Sequence, residues 1–254
     1  MLAASSPPGT KGVRFGFMSA EKAGGGIDAV AVAPEHAHGH APVSLRERKK
    51  LLTCQAVSDA AVAMFLDRGF DKVSVAEVAA ASDISKPTLF RYFPAKEDLV
   101  LHRFAGQEDR AARTVASRAP GESPLDALRR HLLDGLDRRD PATGLCDDPE
   151  VLAFHRLLYG TPSLVARLSA YRCRSEAALS RALGGGLPAR LAAGQIIAVL
   201  RILAEENWRR IDAGERAERV YAGAVQASEE AFVQLRRGLE RSVPGGAAGR
   251  AARE

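Results

Sequence analysis

The sequence predicts an all-α protein, with an N-terminal three-helix unit followed by a larger helical body. Two observations lead there. No run alternates apolar and polar residues with period two over strand length. Helix-opening signals, by contrast, recur along the chain. Ser44-Leu45-Arg46-Glu47 and Ser74-Val75-Ala76-Glu77 have the form of capping boxes, and Ser123-Pro124, Asp148-Pro149 and Thr161-Pro162 each set a capping residue before a proline in the first turn.

Residues 1–42 are rich in Ala, Gly, Pro, Ser and His, with little periodicity. Such a composition cannot bury a core, so a disordered arm is expected, with Met18 an alternative translation start. His36, His38 and His40 alternate within it; they read either as a weak metal site or, more simply, as a solvated tail. The helix opened by Ser44 carries Val57, Ala60, Ala61, Met64 and Phe65 at helical spacing and ends at Gly69, expected as its left-handed C′ residue. Arg46, Arg48, Lys49, Lys50 and Thr53 gather in its first turns, against the helix dipole, as phosphate contacts or as a solubilising face.

Ser74 opens a short helix with Val75, Val78 and Ala79 on one face. Ser82-Asp83 breaks it and Ile84 plugs the turn. Ser85 caps the next helix, where Pro87 falls in the first turn at no cost in hydrogen bonds. Leu89 and Phe93, four apart, face inward, which leaves Lys86, Thr88, Phe90, Arg91 and Tyr92 pointing outward before Pro94 ends the helix. Two short helices joined by a tight turn, the second with a polar outer face, suit the DNA major groove, which admits one helix. Short capped helices alone would equally make an ordinary helical corner.

The whole string decides between these. Val75–Leu99, VAEVAAASDISKPTLFRYFPAKEDL, resembles the N-terminal domain of the TetR family of bacterial transcriptional regulators, whose pattern is roughly T-V-x-x-I-A-x-x-A-G-V-S-x-x-T-L-Y-x-Y-F-x-x-K-E-x-L. Ser74, Val75, Val78, Ala79, Ile84, Ser85, Thr88, Leu89, Phe90, Tyr92, Phe93, Lys96, Glu97 and Leu99 stand in register with it. The resemblance covers Leu45 to about Phe104; beyond that it is one of helix order and length.

The resemblance implies a dimeric, ligand-responsive transcriptional regulator: a repressor released from a palindromic double-stranded DNA operator by a small-molecule effector. Carried over by motif position, Lys86, Pro87, Thr88 and Arg91 approach base edges at the helix capped by Ser85. Thr53, Ser74, Tyr92 and Lys96 take phosphates, and Phe90 packs on the backbone or a thymine methyl. Three positions depart from the pattern. Asp83 replaces the turn glycine, and Asp tolerates the left-handed backbone better than most residues. Phe90 lacks the hydroxyl of the usual Tyr, and Ala95 leaves the following helix less well capped.

That following helix is expected from about Ala95 to Ser117, with Leu99 and Phe104 packing on the DNA-binding unit. A helix over about 124–138 has Leu125, Leu128, Leu132, Leu133 and Leu136 as its core stripe, and Pro141 to Asp147 reads as a loop. Helices follow from Pro149 to near Gly160 and from Pro162 to Leu183. Gly184 to Pro188 reads as a hinge-like loop, without the G-K-[ST] of a phosphate loop. Of the two long closing helices, about 189–213 and 216–241, the first is apolar nearly all round from Ile196 to Ala204 and should be buried on several sides. The second places Tyr221, Val225, Ser228, Phe232, Leu235 and Leu239 on a coiled-coil-like seam, facing this chain's own core or, as a homodimer contact, a second copy. The expected domains are thus an arm at 1–42, a DNA-binding domain at 43–104, an effector-binding and dimerisation domain at 105–241, and a flexible tail at 242–254.

Totals narrow the function classes. A net charge of +5 and a pI of about 9.3 are compatible with nucleic acid, and the placement of Lys86, Arg91 and Lys96 as a patch is the stronger argument. Cys54, Cys146 and Cys173 are odd in number with no C-x-x-C spacing, so neither a disulfide framework nor a zinc site is indicated and a reducing cytoplasm fits. No apolar run approaches membrane-spanning length, and no secretory h-region is present, so no membrane or secretion is expected. No cofactor or metal signature occurs. Candidate effector-pocket residues are Leu128, His131, Leu132, His155, Tyr159, Tyr171 and Trp208, which would suit an apolar or aromatic ligand. His131, His155 and Cys173 would be the raw material of a helical enzyme, but no motif brings them together; a DNA-binding helical protein without a ligand is the third reading.

Overall fold

The computed structural model describes residues 44–104 and 106–239. The arm at 1–42 with His36, His38 and His40, and the tail at 242–254, lie outside the described residues. Among the described residues ten α-helices follow one another: α1 Leu45–Arg68, α2 Val75–Ala81, α3 Lys86–Tyr92, α4 Lys96–Leu101, α5 Arg110–Ala116, α6 Pro124–Asp137, α7 Pro149–Gly160, α8 Pro162–Ala182, α9 Gly186–Asp212 and α10 Ala217–Leu239. No strand occurs among the described residues. The all-α expectation holds.

Both capping boxes form. The Ser44 and Ser74 hydroxyls accept from the Glu47 and Glu77 amides, while the two carboxylates accept from the Ser44 and Ser74 amides. Gly69 ends α1 with a positive φ of 92°, although its ψ of 144° makes it an extended cap rather than a left-handed helical one. Asp83 does adopt the left-handed backbone, with φ of 53°, so the tight turn survives without glycine.

Three apolar cores result. In the first, Val57, Ala61, Val62 and Phe65 of α1, Val78 and Ala79 of α2, Leu89 and Phe93 at α3, and Leu99 and Val100 of α4 meet Phe154 and Leu158 of α7 and Leu164 and Leu168 of α8. The second gathers Val115, Leu128, Leu179, Ala192, Ala193, Ile196, Phe232, Leu235 and Leu239. The third holds Leu136, Leu145, Ile211, Ala217, Val220 and Ala224. The N-terminal unit therefore shares its core with α7 and α8 instead of hanging from a linker.

Six further expectations need correction. The helix expected over 95–117 is two: α4 runs into a 3-10 turn at His102–Phe104, and Gly106 takes a φ of 76° that a continuing α-helix cannot use. This swings Phe104 against Phe154 and Tyr171. The hinge expected at 184–188 shrinks, because α9 begins at Gly186. The loop at 141–147 is a plug: Thr143, Gly144 and Leu145 are buried, and the Asn207 side chain donates to the Thr143 carbonyl at 2.9 Å. A helix does reach membrane-spanning length and apolarity, namely α9, where an 18-residue stretch has a mean hydropathy of 1.5; α9 packs against α8 and α10, and 22% of that stretch is buried.

The fifth correction concerns the seam on α10. Phe232, Leu235 and Leu239 are buried within a single chain, beside Leu128 and Ile196. Ser228 is buried too and donates to the Ala224 carbonyl at 2.7 Å. Val225 packs on the third core, and Tyr221 alone is exposed, at 36%. A 3–4 stripe looks the same whether it meets its own body or a second copy, and here its own body fills it. Nor is Ile196–Ala204 buried all round: Ile196 is buried, while Ile202 is 54% exposed.

The plug generates a test. A Cβ on Gly144 would lie 1.9 Å from the Ala204 carbonyl oxygen, at a φ of 72°. Gly144→Ala should cost more than ~3 kcal/mol or prevent folding, by strain and by expelling the plug. Gly160→Ala, with nothing within 4 Å of the new Cβ, should stay within ~1 kcal/mol of the parent. Urea melts of the two variants compare them directly.

Candidate functional site

The helix-turn-helix presents a defined outer face. Leu89 and Phe93 anchor α3 at 1% and 2% exposure. Lys86, Pro87, Phe90 and Arg91 are exposed, and Thr88 and Tyr92 are half-buried. The Phe90 ring stands 41% exposed with the Lys86 ammonium 5.9 Å from its centroid. The Arg91 guanidinium lies 5.4 Å from the Tyr92 ring and the Lys50 ammonium 6.0 Å from it, so α1 contributes charge beside α3. Phe90 thus exposes an apolar face beside one cation, while half-buried Tyr92 lies near two.

The hydroxyls are placed with different freedom. Ser74 accepts from the Glu77 amide, and its own hydroxyl donates to the Glu77 carboxylate. The Ser85 hydroxyl accepts from the Thr88 amide at 3.3 Å, and the Ser85 and Thr88 hydroxyls bond each other at 2.9 Å. Thr53 spends its proton on the Lys49 carbonyl at 2.9 Å.

Lys96 departs from the sequence reading. Its ammonium donates to the Phe70 carbonyl and sits 4.3 Å from the Phe70 ring centroid and 5.4 Å from that of Phe65. The side chain folds inward and locks the start of α4 onto the end of α1. A phosphate contact would have to break that lock.

The N-terminal unit is tied to the body at charged points. Arg167 of α8 grips Asp98 of α4 through two bonds of 2.9 Å, and the same carboxylate accepts from the Ala95 amide, supplying the cap that Ala95 cannot. The Arg103 side chain, 4% exposed, meets Asp59 of α1 at 2.9 Å and lies 5.3 Å from the Phe154 ring. The Tyr171 hydroxyl donates to the Phe104 carbonyl at 3.1 Å.

Behind this joint lies a cavity of about 270 Å³ between α5, α7, α8 and α9. Of the residues expected at a pocket, His155, Tyr159, Tyr171 and Trp208 line it. Leu128 and Leu132 instead belong to the second core, and His131 is half-buried near Arg110 and Asp140; these three are corrected. Sequence reasoning missed Phe104 and Phe154, which line the cavity with them. The run Phe154-His155 to Tyr159 carried a signal, since three rings at helical spacing face one side. Burial alone drives the His155 imidazole down to about pKa 4, so it is neutral near pH 7. His155 lies on α7, Cys173 is exposed on α8 and His131 is half-buried on α6; no His/Cys/Asp/Glu cluster that could hold a metal occurs among the described residues.

Residues 57–102 match the model for bacterial regulatory proteins of the tetR family. The HTH-type transcriptional regulator TcmR of Streptomyces glaucescens is 31% identical over 133 residues, 52% of this chain and 58% of that protein. The HTH-type transcriptional repressor KstR of Rhodococcus jostii is 30% identical over 84 residues, 33% of this chain and 37% of that protein. The chain thus spans little more than half the length of the first of these relatives and less of the second. Among solved structures, NalD, the secondary repressor of the MexAB-OprM multidrug efflux pump in Pseudomonas aeruginosa, is 15% identical with a TM-score of 0.49, over 71% of this chain and 96% of that one.

Two outcomes follow from this geometry. Lys96→Ala should lower stability by ~1–3 kcal/mol, through the lost bond and ring contacts, as read by urea denaturation. His155 makes stability fall with acid. The unfolded imidazole binds a proton near pH 6.5 while the folded one resists until about 4. Stability is therefore full above pH 6.5 and is lost as pH falls toward 4, by up to on the order of 3 kcal/mol. His155→Phe should flatten that slope between pH 7.5 and 5, and an unchanged slope would assign it to other groups.

Proposed function

We propose that this chain, whose residues 57–102 carry the helix-turn-helix of the TetR family of bacterial regulators, is a sequence-specific DNA-binding transcriptional repressor released from a palindromic operator by a small-molecule effector. One observation carries the reading: α3 is held by Leu89 and Phe93 so that Lys86, Pro87, Phe90 and Arg91 stand clear of the body on a single capped helix. Residues 43–104 act as the reading unit and 105–241 as the effector-binding and dimerisation unit, in the cytoplasm and without catalysis. Lys86, Pro87, Thr88 and Arg91 approach base edges, Ser85 caps the reading helix, and Phe90 meets a thymine methyl or the sugar-phosphate wall. Tyr92 and, after releasing their own bonds to the Glu77 carboxylate and the Lys49 carbonyl, Ser74 and Thr53 take phosphates.

The homodimer uses the outer face of α9 and α10 instead of the α10 seam. Leu187, Leu191, Ile202 and Val233 are exposed at 66%, 56%, 54% and 46%. Leu187, Leu191 and Ile202 fall along one stripe of α9. A two-fold pairing of the two helices would cover them in a four-helix interface. Reading helices would then stand about 34–36 Å apart, or a multiple of that. Effector in the cavity acts on Phe104 and, through the turn it ends, on α4; a coupling of ~1–3 kcal/mol suffices.

Selection from a random duplex library should return a two-fold symmetric site, and enrichment of an asymmetric site or of none defeats the reading. Arg91→Ala should lose ~1–3 kcal/mol at one base pair of that site and relax preference there, seen in binding profiles across the library. Ile202→Glu should sediment as a folded monomer with weakened operator binding. Phe232→Glu should instead lower the melting temperature, because it buries a charge in the chain's own core. Dimers that persist in Ile202→Glu would move the interface elsewhere.

A further inference from the structure

The charges along the cavity do not cancel. Of the cations on its lining, Arg103 meets Asp59 at 2.9 Å and Arg110 meets Asp140 at 3.1 Å. The lining carboxylate, Glu108, is met by Arg174 at 2.7 Å. Arg172 of α8 and Arg201 of α9 are placed differently. Both line the cavity, and both lean on one carboxylate that does not. Arg172 donates to one oxygen of Glu205 at 3.2 Å, and Arg201 to the other at 2.6 Å. Two guanidiniums with one counter-charge leave a positive charge over, and that charge borders the cavity.

The pair keeps donors as well as charge. A guanidinium carries five N–H groups in a planar fork that matches a carboxylate. Arg172 and Arg201 each give one nitrogen to Glu205. Their side chains are 28% and 34% exposed, so a second anion beside them would keep part of its hydration and would not bear the full cost of burying an ion. The Tyr159 hydroxyl belongs to the same end of the cavity. Burial raises its pKa, Glu205 raises it further, and Arg172 and Arg201 pull it back, so the phenol feels all three charges and stays protonated near pH 7.

Beyond this charged end the lining is aromatic. Tyr159 and Trp208 lie 4.9 Å apart at 37°, and Phe104 meets Tyr171 at 5.6 Å and Phe154 at 6.0 Å. Rings so arranged favour a flat partner, stacked or edge-on. The unpartnered ring nitrogens of His155 and Trp208 are buried out of the cavity's reach, so the polar grip falls to the arginines.

We propose that the cavity takes a flat aromatic monocarboxylate, its carboxylate received by Arg172 and Arg201 and its rings lying among Tyr159, Trp208 and Phe104. At about 270 Å³, just under the usual ~300–1,000 Å³ of ligand sites, the space suits a body of about two fused rings. The inference rests on reading this cavity as the effector site, and it adds the effector's class.

The probes are 2-naphthoate, its uncharged isostere 2-naphthamide, the cation 2-naphthylmethylammonium, and decanoate, titrated by calorimetry into the full chain without DNA. 2-Naphthoate should bind about tenfold or more tighter than the amide and the cation, and tighter than decanoate. Raising salt to about 0.5 M should narrow its lead over the amide. Arg172→Gln leaves Arg201 and Glu205 as a neutral pair and should erase most of that lead while amide binding holds. Glu205→Gln removes the shared counter-charge and should widen the lead severalfold. A merely structural role for these residues would weaken every probe alike in both variants. Should Arg172→Gln fold poorly, Arg201→Gln makes the same comparison. Equal binding of naphthoate and naphthamide, tighter binding of the cation or of decanoate, no saturable binding of any probe, or a shift in the same direction in both variants overturns the proposal. A chain that shows this charge dependence but enriches no DNA refutes the regulator reading alone. One that enriches a two-fold symmetric site but binds naphthoate and naphthamide alike refutes the ligand class alone.

Discussion

Arg103 sets the terms for the rest of the fold. A guanidinium 4% exposed is costly to desolvate, and it is tolerated only where a carboxylate and a ring meet it closely. Burial pulls its pKa down and Asp59 pushes it back up. Asp59 belongs to α1, Phe154 to α7, and Arg103 to the turn after α4, so one charge pins three elements at a point. The chain cannot separate the reading unit from the body there without stranding that charge. The shared apolar core and the Arg167–Asp98 clasp reinforce the same joint. Its neighbour Phe104 faces the cavity, so the wall of the cavity and the wall of the joint are adjacent residues.

The body is built to be asymmetric. α9 lays Ala189, Ala192, Ala193 and Ile196 into the interior, where small side chains let α8 and α10 approach. Its opposite stripe carries leucines and an isoleucine into solvent. Large apolar side chains exposed in register on one helix are the kind of surface that the proposed dimer would cover. In the proposed homodimer the apolar composition of α9 has the same origin: a helix apolar toward its own core and toward a neighbour has few places left for charge.

Most of the fold was legible in the sequence because helix starts carry local chemistry. Ser-x-x-Glu and the Asp/Ser/Thr-Pro pairs fixed the openings of α1, α2, α6, α7 and α8 to within a residue. The outward face of α3 was legible too, since Leu89 and Phe93, both buried, decide which way that helix turns. What failed depended on distant partners. The inward fold of Lys96 is dictated by Phe70, twenty-six positions away in sequence, and nothing in its own neighbourhood signals it. The α10 stripe named a buried face without naming what buries it. The break at Gly106 was hidden by an otherwise helical stretch, and with it went Phe104 and half of the cavity wall. Leu128 and Leu132 show the converse: apolar residues on a helix beside a cavity still belong to the core unless the helix's rotation is known.

The buried plug at Thr143–Leu145 has a bearing on how this chain is assembled and where it can be cut. Asn207 and Ala204 of α9 close over it from some sixty positions downstream. Until α9 arrives, the Thr143 carbonyl and the apolar Leu145 have nothing to meet, and α6 and α7 flank an open seat. Assembly of the body therefore waits on a late, long-range docking step, which slows folding relative to a chain of purely local helical pairs. The glycine pair before α9 looks like a natural place to divide the protein, but a fragment ending there would expose the empty seat, and a nascent chain is in that condition until its last two helices emerge.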